Sequence, residues 1–130
     1  MAVLDTAEAN RYLEALVGKT TYSATVSPIK VKLCTAVGSD TSAGTEVSGG
    51  GYVAGGQGVT TWNAAATRQI TNNTVVSYTN MPVATVTSID ATDSTGTPVR
   101  KFYGTLAASR TTASGDTLSF AAAAIVLGMG

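Results

Sequence analysis

Apolar residues follow two different periods along this chain, and the change between them divides it. Ala9, Tyr12, Leu13, Leu16 and Val17 recur at spacings of three and four, which places them on one face of a helix. Asp5 stands at the N-cap, Glu8 three residues later completes a capping box, and Gly18 is a natural C′ stop. The spacing predicts a helix over residues 5–18. A helix of about twelve residues does not persist alone in water, so its apolar stripe must dock on the chain's own β body or on a neighbouring subunit.

From residue 29 the period drops to two. Ile29, Val31 and Leu33 alternate with Lys30, Lys32 and Cys34, a strand with one buried and one polar face. Further strands are expected over 69–78, 83–89, 99–106 and 117–120, with the apolar run 120–127 as a buried strand closing the core. Asn80-Met81-Pro82, Asp93-Ser94-Thr95-Gly96 and Ser114-Gly115-Asp116 mark the turns, and residues 38–44 form a polar loop. About six to eight short strands with regular turn signals give a mainly β fold, an antiparallel, jelly-roll-like β-sandwich with one short N-terminal α-helix. The expectation is one domain over 1–130, with the sandwich body at 29–130. No heptad or Gly-X-Y tract is present, so the chain cannot form a fibre shaft by itself.

Composition sharpens this picture. Only 12% of the 130 residues are charged, about half the usual share, while Thr, Val and 14 Gly suit strands and their turns. Formal net charge is zero, so there is no basic face for nucleic acid and no polybasic membrane patch. Weak self-repulsion favours assembly of many copies. Neither a signal peptide nor an apolar run of the ~18 residues a membrane helix needs is visible. Synthesis and assembly in a host cytoplasm are the corresponding expectation.

Candidate chemistry is sparse. With no His, the usual triads and zinc sites lack their main residue. Cys34 is the sole cysteine, which rules out an intrachain disulfide and reads as a small strand residue rather than a catalytic thiol. Asp90 and Asp93 flank one turn but offer too few carboxylates for a calcium loop. Gly49-Gly50-Gly51-Tyr52 and the glycines up to Gly58 precede a strand-like segment, not the helix a phosphate cradle requires. Asp116, like Asp90 and Asp93, falls in a turn, so nothing pairs two carboxylates across a glycosidase cleft. Tyr52 and Trp62 are either core anchors or exposed contacts for an interface or a carbohydrate. No catalytic, cofactor-binding or metal site is assigned, and the chain is expected not to be an enzyme.

The ordered phrases Ile29-Lys30-Val31-Lys32-Leu33-Cys34-Thr35, Gly44-Thr45-Glu46-Val47-Ser48-Gly49-Gly50-Gly51-Tyr52, Ile70-Thr71-Asn72, Ile89-Asp90-Ala91, Gly96-Thr97, Tyr103-Gly104-Thr105-Leu106 and Ser114-Gly115-Asp116-Thr117-Leu118-Ser119-Phe120 span nearly the whole chain. Their series resembles a family of small bacteriophage virion proteins, labelled tail fibre or minor structural proteins. Val53-Ala54 stands where that pattern carries an Arg, and Gly38-Ser39-Asp40 where it carries Asp-Pro. The resemblance implies a virion structural role with no catalytic residues. The expected function is a capsid decoration or minor capsid protein, binding other virion proteins such as the major capsid protein as a homo-oligomer, for instance a trimer. The alternative is a tail tip or fibre-associated protein contacting the host surface.

Overall fold

Ten strands and one helix carry these patterns in the computed structural model, which describes residues 1–129. In chain order they are β1 (Ala2–Leu4), α1 (Thr6–Leu16), β2 (Ile29–Ala36), β3 (Thr45–Glu46), β4 (Gln57–Val59), β5 (Gln69–Thr71), β6 (Val76–Met81), β7 (Ala84–Thr92), β8 (Arg100–Thr112), β9 (Asp116–Phe120) and β10 (Val126–Gly128). Eight strands form one sheet in the order β3-β2-β7-β8-β1-β10-β5, with β4 also pairing β2, and β6 and β9 form a separate ribbon. All pairings are antiparallel except β1 with β10.

The ribbon covers part of one face of the sheet, giving the expected mainly β, sandwich-like architecture. Val31, Leu33, Ile89 and Ala91 of the sheet meet Val76, Tyr78, Met81, Leu118 and Phe120 of the ribbon in the core. Tyr78 joins the layers. Its ring stands edge-on to Phe120 and parallel to Tyr52, both at 6.2 Å, while its hydroxyl donates to the Val31 carbonyl at 2.7 Å. A phenol can enter a core only when its hydroxyl finds such a partner.

Several boundaries differ from the sequence expectation. The body begins before the helix, because β1 lies centrally between β8 and β10. Its three residues are too few to show a period, and both partners lie about a hundred residues away. The strand expected over 69–78 is divided at Asn72, which is fully buried. Asn72 accepts from the Ile125 amide and donates to the Thr74 and Ala121 carbonyls, turning the chain from the sheet into the ribbon. The run 120–127 is likewise not one strand. Residues 121–124 are an exposed loop between β9 and β10, with Ala123 at φ 64. The break expected at Asn80-Met81-Pro82 falls at Pro82-Val83, preceded by a bulge inside β6 between Tyr78 and Met81, and β8 runs on to Thr112.

The helix departs most. Asp5 caps it, accepting the Ala7 amide at 2.9 Å, but the capping box is not formed because the Glu8 carboxylate turns toward the sheet. Glu8 is the buried residue of α1, whereas Leu13, Leu16 and Val17 are 61%, 77% and 80% exposed. The apolar stripe is therefore split: Leu13, Leu16 and Val17 do not dock on the β body, while half-buried Tyr12 faces the sheet. Charge holds the helix instead. Arg100 Nε and Nη2 donate to Asp5 Oδ2 at 2.9 and 2.6 Å, and Lys101 Nζ donates to Glu8 Oε2 at 3.0 Å. Once inside, these charges tolerate no other arrangement, because leaving either cation or carboxylate unmatched there is costly.

Removing one partner of a buried ion pair strands the other charge. Arg100→Ala is expected to lower unfolding stability by ~3–5 kcal/mol in urea titrations. Lys19→Ala, which breaks the exposed pair with Glu14, should change it by less than ~0.5 kcal/mol.

Candidate functional site

The chemistry of this fold gathers at the start of β8. Register places Thr92 opposite Arg100 and Ala91 opposite Phe102, so Lys101 is the extra residue of a bulge. Bulges re-aim side chains, and here two successive cations reach different partners.

Arg100 faces the loop of residues 37–44. Besides Asp5 it donates to the carbonyls of Ser42, at 2.6 Å, and Ser39, and it lies 3.7 Å from Asp90. Its guanidinium stacks over Tyr103 at 4.5 Å from the ring centroid, and Tyr103 donates to Asp40. Gly38 lets this loop close: a Cβ there would lie 2.4 Å from the Ser42 carbonyl and 2.6 Å from Arg100. Asp90 also accepts the Gly44 amide at 2.9 Å.

Lys101 faces α1. The residue is 4% exposed, and its ammonium sits 3.0 Å from Glu8 and 3.9 Å from Asp93. Glu8 also accepts from Arg11 at 3.0 Å and from the Tyr22 hydroxyl. Tyr22 stacks on Tyr12 with centroids 4.5 Å apart. Burial and the Glu8 carboxylate push the Tyr22 phenol well above its ordinary value. For Asp93 burial alone would raise the pKa. Hydrogen bonds from the Val99 amide and from the Thr95 hydroxyl and amide, with the Lys101 charge, outweigh burial and hold the carboxyl below its usual range.

Between α1 and the sheet lies a cavity of about 280 Å³. Glu8, Tyr12, Tyr22 and Lys101 line it together with Trp62, Phe102 and apolar residues of the sheet. It is an apolar recess with a small polar patch, the form small-ligand sites take.

The residues singled out in the sequence scatter. Asp90 and Asp93 serve different cations, and Asp116 caps its own turn by accepting the Ala113 amide at 2.7 Å. Among the described residues no three His, Cys, Asp or Glu side chains form a metal-holding group. Cys34 is fully buried, and burial, with Asp90 and Glu46 nearby, pushes its thiol to about 12. The glycine run forms turns. Gly56, at φ 82, lies so close to β2 that a Cβ would fall 2.1 Å from the Val31 carbonyl. Tyr52 belongs to the core assembly, accepting the Leu33 amide at 3.0 Å and donating to Glu46 at 2.9 Å. Trp62 donates to the Val59 carbonyl at 3.2 Å and gives its ring to the cavity.

Glu8, Tyr12, Tyr22 and Lys101 went unnoticed as a group. The pair Arg100-Lys101 ahead of Phe102-Tyr103 was the available signal, but Glu8, the partner of Lys101, is 93 positions away.

A family model described as podophage GP4 fiber I protein gp80 matches residues 3–128 of the chain. No curated protein matches it.

Two measurements check this electrostatic picture. A carboxyl with a depressed folded pKa stabilises the fold fully above its unfolded value of ~3.9, and that stabilisation is lost as pH falls through the lower folded value. Calorimetry should give a melting temperature that is steady from pH 7 to ~5 and declines below ~4, with Asp93→Asn less stable at neutral pH and less sensitive to acid. Cys34 should stay unreactive toward a disulfide-exchange dye at pH 8 until denaturant unfolds the chain.

Proposed function

Because the chain belongs to the podophage GP4 fiber I protein gp80 family, we propose that this phage virion structural protein works at the tail, as a fibre-associated component contacting the host surface. The match over residues 3–128 carries this reading. It favours a fibre role over the capsid-decoration role that the sequence pattern had put first.

The structure supports a particular part in a fibre. A sandwich with one short helix has no repeating shaft element, so the chain contributes a head or tip rather than a stalk. Leu13, Leu16 and Val17 remain exposed on α1 and supply an apolar contact for a neighbouring virion chain. Buried carboxylates are tied to cations rather than facing each other, so the chain acts by binding and not by turnover.

Immunogold labelling and copy number by mass spectrometry test the assignment. Few copies per particle, at the tail, are expected; hundreds on the shell would restore the decoration reading. Leu16→Ser should alter unfolding stability by no more than ~0.5 kcal/mol, because the side chain is exposed, while reducing incorporation into particles.

A further inference from the structure

We propose that the cavity between α1 and the sheet binds one neutral pyranose ring of a host-surface saccharide. The proposal deepens the tail assignment and rests on it for the source of the sugar.

The walls suit the apolar face of a sugar ring. Tyr12, Trp62 and Phe102 are half-buried, so each leaves part of its ring available to the cavity. Tyr12 is held in place by its stack on Tyr22, and Trp62 by its hydrogen bond to Val59. The site is therefore preformed, which lowers the cost of ordering on binding. Its volume of about 280 Å³ lies just below the range of pockets for drug-sized ligands, and so fits one ring.

The polar patch suits hydroxyl groups. An ammonium has three donors. Lys101 donates one to Glu8 at 3.0 Å and lies 3.9 Å from Asp93, so it keeps donor capacity for a ligand oxygen. Glu8 Oε1 takes the Tyr22 hydroxyl and retains capacity for another donor. A free donor and a free acceptor thus stand side by side, the pairing that adjacent hydroxyls satisfy because each both gives and receives a hydrogen bond. Glu8 and Asp93 balance Lys101 and Arg11, so no net positive charge remains to draw a phosphate or an acidic sugar.

Trp62 is the chain's single tryptophan, so its emission reports the site directly. The purified chain is titrated with the methyl glycosides of glucose, galactose, mannose, rhamnose and N-acetylglucosamine. At least one should give a saturable change with a midpoint in the millimolar range that a ligand of about a dozen heavy atoms reaches. Tyr12→Ala should weaken it about tenfold. Thr25→Tyr, which fills the cavity, should abolish it, and Val83→Ser on a remote exposed position should leave it unchanged. Absence of a saturable response to every glycoside overturns the proposal, as does a response preserved in the folded Thr25→Tyr variant, or one given by adenosine alone. A chain found at the tail that binds no glycoside sinks the sugar site and spares the tail assignment. A chain that binds glycosides but is found on the shell does the reverse.

Discussion

Two adjacent cations on one bulge, Arg100 and Lys101, are the constraint on which the arrangement of this protein depends. Asp5, Glu8, Asp90 and Asp93 converge on them, so four of the chain's eight acidic side chains lie in the interior. Buried ion pairs add little net stability over apolar packing, but they tolerate few arrangements, since an unmatched charge inside is costly. The entry of the helix, the loop of residues 37–44 and the turn after β7 are thereby fixed to one strand.

This mode of attachment accounts for the surfaces the fold leaves available. A helix docked through its apolar stripe would present its charged face outward. Docking through Asp5 and Glu8 reverses this and leaves Leu13, Leu16 and Val17 in solvent. It also holds α1 off the sheet far enough to leave the aromatic recess between Tyr12 and Phe102. The exposed apolar patch and the recess both follow from the same ionic attachment.

A firm body, an exposed apolar patch on α1 and an aromatic recess fall on separate parts of the chain. The tyrosine-centred core between sheet and ribbon supplies the first. The family match over residues 3–128 gives that division its biological setting.

How much was legible in the sequence follows from the range of the interactions. Alternation in β2, the Asp5 cap of α1 and the glycine turns are local patterns, so the mainly β class and the single helix could be read directly. The ordered phrases placed the chain among phage virion proteins for the same reason. Long-range pairing was not readable. The position of β1 between β8 and β10, the division at Asn72 and the Glu8–Lys101 contact each join residues distant in sequence. A carboxylate on a helix looks the same in sequence whether water or a buried ammonium awaits it, and only the folded chain decides which, because the energy of a charge is set by its surroundings.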